Sequence, residues 1–278
     1  MQLTDTITYT IPVSLTDAYR GRKTIVRTHD PSEITTKFSD AVPEGLCHIR
    51  LLSLDRDIDD LKDWAPGIPI DLVIRDPRRE LPLLYRYAPL LATHPLRVSV
   101  PLVSGFGAVV KLAASLNFAV KVEGGQPDQA VTGEMLQIAD YYLHRTTVTE
   151  PIEFFHSMFL AFYHRDPVTL WAIQEEDPSL VRYVTDQGEE MMSGRFVEGG
   201  TNREFSSFAR ELQEEIANGQ GECGGCEFLT NCLGYFKWPR REYHCDGVKA
   251  LMGALLDAAG ELRRDVASFQ SRSEDDPS

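Results

Sequence analysis

From residue 7 to residue 122 the chain alternates between short apolar runs and segments with helical spacing. Ile7, Tyr9, Ile11, Val13 and Leu15 alternate with polar or small residues, which predicts a strand over 7–15. Further strands are expected at 47–53, 68–74, 96–102 and 117–122. Helical character over 56–65, Pro82–Leu91 and Phe106–Leu116 separates them. Strands that alternate with helices at about 25-residue spacing predict an α/β fold with a parallel sheet or barrel.

Beyond Gly124, Gly125 and Pro127 the periodicity changes. Met135, Ile138, Tyr142 and Leu143 share one side of a predicted helix over 129–144. An aromatic run, Phe154 to Tyr163, predicts a helix near 151–163, followed by a short strand pair around Val181–Phe196. Gly199-Gly200 is the expected domain boundary. Helices are expected over 203–217 and 246–268, the second with Val248, Leu251, Met252, Leu255 and Leu256 at helical spacing. The polar, acidic tail from Ser271 is expected to be disordered.

Length and charge narrow the class. A chain of 278 residues accommodates a large domain and a small one. The net charge of −14 repels phosphates, so no nucleic-acid partner is expected, while a basic surface or peptide is permitted. No apolar run reaches the ~18 residues of a membrane helix, and the N-terminus lacks signal-peptide order, so a cytoplasmic protein with no membrane partner is expected.

Four of the five cysteines lie close together: Cys223, Cys226, Cys232 and Cys245, spaced Cys-x2-Cys-x5-Cys-x12-Cys. Clustered thiols in a large chain point to a metal rather than to a disulfide framework. The x2 pair, with Gly224 and Gly225 between, can turn tightly enough for both sulfurs to face one centre. A cubane cluster takes one thiolate per iron. Zinc more typically uses two short knuckles, and only one is present here, so a [4Fe–4S] cluster is favoured and zinc is the alternative. His244 is a possible substitute ligand, and Lys237, Arg240 and Arg241 are cations placed between the third and fourth cysteines.

The run CGGCEFLTNCLG with a later cysteine resembles the auxiliary-cluster region of SPASM-domain radical SAM peptide maturases. The resemblance implies one auxiliary cluster of the outer type on Cys223, Cys226, Cys232 and Cys245. Phe236 stands where that family carries the cysteine for an inner cluster. IPVSLTDAYRGRK and HIRLLSLDRDIDDL are similar, more weakly, to the first two strand regions of the radical SAM partial barrel. The catalytic Cys-x3-Cys-x2-Cys motif is absent: Asp17 to Arg22 occupy the region, and Ser53, Leu54 and Asp55 stand in place of a Gly-Gly-Glu motif. The resemblance therefore implies a degenerate partial (β/α) barrel over 1–199, a small SPASM/twitch-like iron–sulfur domain over 200–270 and a tail over 271–278. Cleavage of S-adenosylmethionine is not expected, because Cys47 is the only thiol outside the C-terminal group.

Three readings follow. The first is an iron–sulfur protein that is non-catalytic or partner-dependent in a peptide or protein modification pathway. It would bind a protein partner or precursor peptide, and its cluster would be structural or an electron relay. The second is an enzyme with non-radical chemistry at a repurposed barrel mouth, using Asp17, Arg20, Arg22, Asp55, Arg75, Asp76 and Glu123. The third is a zinc-stapled binding scaffold. His156 and His164, with Glu150, Glu153 and Asp166 nearby, form a weaker metal or acid–base candidate. Ser104–Gly107 is a weak phosphate-loop candidate.

Overall fold

Six strands follow one another in space in the order in which they occur in the chain: Thr8–Pro12 (β1), Lys23–Thr28 (β2), Leu46–Leu51 (β3), Ile70–Val73 (β4), Leu96–Pro101 (β5) and Ala119–Glu123 (β6). All five pairings among them are parallel. Val181–Val184 (β7) adds in parallel to the free side of β1, and Glu190–Met191 (β8) closes that edge antiparallel to β7. The result is a mixed α/β architecture on one eight-stranded, mostly parallel sheet. The computed structural model describes residues 7–192, 208–218 and 221–274.

The helices form where the chain supplies their caps. Pro31–Lys37 (α1) and Pro77–Glu80 (α2) each have proline at the first position and an aspartate before it, Asp30 or Asp76, whose carboxylate accepts backbone N–H groups. Phe106–Ser115 (α3) follows Gly105, whose φ of 93° suits glycine. Gln129–His144 (α4) is capped by Asp128. Glu153–His164 (α5) and Leu170–Ile173 (α6) follow, then Phe208–Asn218 (α7), Leu229–Cys232 (α8) and Asp246–Glu274 (α9).

Several local expectations change. Residues 56–65 form only a short 3-10 turn at Asp59–Leu61. The Asp57 carboxylate takes the N–H of Asp59, which draws the backbone out of helical pairing. Leu81–Ala92 winds as 3-10 helix with Pro89 inside it. The helix α9 runs as far as Glu274, four residues into the segment expected as the tail. Gly199-Gly200, Phe196 and residues 275–278 lie outside the described residues.

The two faces of the sheet differ sharply. Ile11, Val26, Ile49, Leu51, Leu72, Val98 and Val120 are fully buried on one of them. The other carries His48, Arg50, Asp71, Arg97, Ser99, Lys121 and Glu123 in adjacent registers.

The cysteine-bearing segment is not packed as a separate body. Its Phe228, Tyr235, Phe236 and Trp238 belong to the same buried apolar cluster as the sheet, as do Val248, Leu251, Met252 and Leu255 of α9. The long helix α9 lies against α5 and α4. Gly247 is needed there, since a Cβ would stand 2.6 Å from Thr132 Cγ2 on α4.

Trp171 on α6 is the largest fully buried side chain at this join. Its rings meet Phe208 and Tyr235 edge to face, and its Nε1–H donates to Leu233 O at 3.0 Å. Replacing Trp171 with alanine should cost about 3–5 kcal/mol of unfolding free energy. Urea denaturation measures it, and a loss under about 1 kcal/mol would show that the join does not depend on this ring.

Candidate metal centre

The four clustered cysteines are brought to one place. Cys223, Cys226, Cys232 and Cys245 line a common cavity with Phe228, Leu229, Phe236, Val248, Met252, Lys237 and Lys249. Cys223 and Cys245 are buried, and the other two are half-buried. All are free thiols in a largely apolar wall.

Each sulfur is set by tight local backbone. Cys226 N–H donates to Cys223 O at 3.1 Å, which closes the Cys-x2-Cys turn. Cys232 ends α8, with its N–H on Phe228 O at 2.8 Å. The next two residues, Leu233 and Gly234, are left-handed at φ 42° and 73°. That reversal turns the N–H groups of Gly234, Tyr235 and Phe236 toward the Cys232 sulfur. Successive N–H groups in such a turn make a nest for an anion. Cys245 precedes α9, and its N–H donates to Glu222 Oε1 at 3.2 Å.

The thiols are far from their ordinary acidity. Burial pushes Cys245 up to about 12. Burial also pushes Cys232 up to about 11, against the N–H groups that favour its thiolate. Cys223 is raised for the same reason. A dry cavity disfavours four bare thiolates, and only a cation bound among them would hold all four charged. N–H groups aimed at a sulfur are of little use to a neutral thiol, whereas a metal-bound thiolate accepts them. The donor set therefore fits a thiolate-ligated iron–sulfur cluster or zinc. Among the described residues no three His, Cys, Asp or Glu side chains are gathered tightly enough to hold a single metal ion.

The flanking charges divide. Lys237 Nζ donates to Glu222 Oε1 at 2.5 Å, and Lys249 Nζ to Glu222 Oε2 at 2.8 Å. Arg240 turns away to Gln126, and Arg241 to Glu215 at 2.8 Å over the Trp238 ring. His244 is exposed and faces a groove with Asp128, Thr132 and Glu242 rather than the cysteine cavity. It is not placed as a substitute ligand. Lys249 and Glu222 were invisible as partners in the sequence. Glu222 neighbours Cys223, but Lys249 enters only through the first turn of α9.

The site sits beside the C-terminal end of β6. Tyr235 Oη donates to Gly124 O at 3.1 Å, Tyr243 Oη to Pro127 O at 2.7 Å, and Gln126 Nε2 to Phe236 O and Arg240 O. Gly124 follows Glu123, so the cysteine-bearing segment is anchored one residue beyond the charged face of the sheet.

That charged face is paired mostly within itself, although the buried Arg50 Nε has no hydrogen-bond partner. Arg97 Nη2 meets Asp71 at 3.2 Å, and its Nη1 meets Glu153 at 3.1 Å and Glu175 at 3.0 Å. Lys121 reaches Glu175 at 2.5 Å, Arg50 pairs with Glu123 and Asp71, and Ser99 Oγ donates to Asp71 at 2.7 Å. Burial pushes Asp71 up, but the guanidiniums of Arg97 and Arg50 outweigh it and hold its carboxyl below the usual range. Glu175 is likewise held low, by Lys121 and Arg97 against burial. Burial, aided by Arg97, depresses His48 to about 4.

Of the expected mouth residues only Glu123 joins this network. Asp17 pairs with Arg20 and Lys37 in the open, Arg22 stacks on Tyr9 and Tyr19, Asp76 caps α2 and Arg75 N–H donates to Glu80. Asp55 is exposed. The histidine candidates are also separate: His156 meets Tyr142 Oη at 2.6 Å and His164 lies edge-on to Tyr163, while Glu153 goes to Arg97. At Ser104–Gly107 the protein's own Glu134 takes the N–H groups of Gly105 and Gly107, both at 3.0 Å. The phosphate-loop candidate is thus filled from within. Cys47 is exposed at the start of β3, with Gly45 O nearby.

Compared with known proteins, the chain matches no family model, no curated protein and no solved structure.

Two outcomes test this geometry. A folded-state His48 acidity of about 4, below its ordinary 6.5, means that the unfolded chain takes up that proton first as pH falls. Its stabilising effect is present above 6.5 and is lost between 6.5 and 4, with Asp71 and Glu175 adding acid loss below their unfolded values near ~4. Urea midpoints should fall through that window, and His48→Gln should flatten the upper part; an unchanged slope in the variant contradicts the burial of His48. Gly234→Ala places a Cβ at φ 73° and 2.2 Å from Ile216 Cδ1. It should cost about 1–3 kcal/mol by the same assay, and no loss would mean that the left-handed turn relaxes freely.

Proposed function

We propose that this chain is a degenerate relative of SPASM-domain radical SAM peptide maturases that has kept one auxiliary [4Fe–4S] cluster and given up the radical step. Cys223, Cys226, Cys232 and Cys245 would hold the cluster. The protein would act as a non-catalytic or partner-dependent component of a peptide or protein modification pathway, binding a precursor peptide or a catalytic partner.

The observation that carries the reading is the shared cavity of the four thiols. A cubane occupies a volume and takes its thiolates from separate corners, whereas a lone tetrahedral zinc needs four sulfurs about 2.3 Å from one point. Thiols lining one cavity, with N–H groups directed at Cys232, support a thiolate-bound centre, and the single Cys-x2-Cys knuckle favours the cluster over zinc. The sequential parallel order of β1 to β6 is what a partial (β/α) barrel of that family would have.

The loss of catalysis is supported at both ends of the chemistry. The turn after β1 is the 3-10 segment Val13–Tyr19, which has no cysteine. The charged face of the sheet is neutralised by its own ion pairs, so Arg50, Arg97 and Lys121 are committed to Asp71, Glu123 and Glu175. This also weighs against a repurposed mouth enzyme. When bound, the cluster would supply one-electron chemistry or a rigid cross-link among the cysteine loops. The chain's own part is to exclude water with Phe228, Leu229, Phe236 and Met252, and to hold the sulfurs in place.

Anaerobically purified protein should be brown, with a broad visible charge-transfer absorption and about four iron and four sulfide per chain. Cys232→Ser and Cys245→Ser should each lose most of both, and Cys47→Ser should lose neither. Colourless protein that carries stoichiometric zinc would overturn the proposal.

A further inference from the structure

Glu222, Lys237 and Lys249 form a compact charged group behind the wall of the cysteine cavity. Lys237 and Lys249 both line the cavity with their aliphatic stems, and their ammoniums are tied to different oxygens of the same carboxylate, at 2.5 and 2.8 Å. Lys237 is almost fully buried and donates also to Tyr243 O. The carboxylate is fixed from a third side by the Cys245 N–H. Both lysines lie close enough to act electrostatically on the sulfurs, Lys237 on Cys245 and Cys223 and Lys249 on Cys226 and Cys245. Two cations and one anion leave a net positive charge beside four sulfurs. Arg240 and Arg241, closer in sequence to the cysteines' gap, are spent elsewhere.

A purely structural staple has no need of this arrangement. Burying Lys237 costs free energy that a leucine in the same wall would not incur. The charge is useful if the cavity must hold an anion whose charge changes. A four-thiolate cluster is anionic, and its one-electron-reduced form carries one more negative charge.

Resting on the cluster proposed above, we infer that Lys237 and Lys249, positioned by Glu222, poise the cluster toward its reduced state, so that the centre exchanges electrons in service. The reducing equivalent would come one electron at a time from a low-potential donor. It resides on the cluster irons, and the ammoniums compensate the added charge without transferring a proton.

The test is a dithionite titration of the anaerobic holoprotein, followed by electron paramagnetic resonance, on the wild type, Lys237→Met, Lys249→Met and Glu222→Gln. Each Lys→Met change should lower the reduced-to-oxidised ratio at fixed potential about tenfold, or about 59 mV for one electron. Glu222→Gln keeps an oxygen acceptor but removes a negative charge, so it should move the ratio the other way. Lys249→Arg should retain the wild-type value. Opposite signs separate charge compensation from simple loosening, which would shift all variants together. Lys249 is part-exposed, so its variant reports even if the Lys237 variant does not fold. Iron and sulfide present with unchanged potentials, or with all shifts of one sign, would overturn the inference alone. Absence of iron and sulfide from the wild type would instead overturn the cluster itself.

Discussion

Loop-borne thiols need an outside frame, and that constraint governs the whole structure. Cys223, Cys226 and Cys245 lie on turns, and Cys232 ends a four-residue helix, so no ladder of regular hydrogen bonds fixes their separations. The frame is supplied by the sheet. Tyr235, Gln126 and Tyr243 tie the cysteine segment to the loop after β6, and Trp171 fixes Leu233 from behind. The long helix α9 completes it, since one end begins at Cys245 and its apolar side is buried against α4 and α5. A centre held this way is only as rigid as the sheet beneath it. This explains why one buried apolar cluster runs through both parts.

The same sheet carries its charged residues on one face. Parallel strands with polar residues on one face create a place where charges are costly unless partnered. Here the partners are all internal: Asp71 alone meets Arg50, Arg97 and Ser99. Glu175 enters from beyond α6 to neutralise Lys121 and Arg97. Such a network specifies packing, but it leaves no uncommitted cation among these residues to receive a substrate. The cysteine cavity is different. Beside it two lysines share one carboxylate, which leaves one positive charge in excess near the sulfurs. The contrast between a sheet face paired within itself and a cysteine cavity with excess positive charge nearby is the physical basis for the proposal that the cavity holds the functional centre.

Much of the α/β alternation was legible in the sequence because half-buried strands and amphipathic helices have distinct periods. The helix over 129–144 matches α4, and the expected strands at 47–53, 68–74, 96–102 and 117–122 overlap β3 to β6. The strand β2 was missed. KTIVRT lies between two other strands, is buried on both faces after Lys23 and so shows no alternation, and it follows a basic turn that masked it. The gathering of the four cysteines could be anticipated from their spacing. The charged face could not, because His48, Asp71, Arg97 and Lys121 are isolated polar residues in separate strands, and only the register of the sheet aligns them. Glu222 and Lys249 were hidden for the same reason, being 27 positions apart with no motif linking them.

X-ray absorption spectroscopy of anaerobically purified protein tests whether the cavity holds an iron–sulfur cubane. An iron edge with sulfur neighbours and a second shell of iron–iron scattering is the predicted result. A zinc edge with a single shell of sulfur at about 2.3 Å and no metal–metal scattering would contradict it.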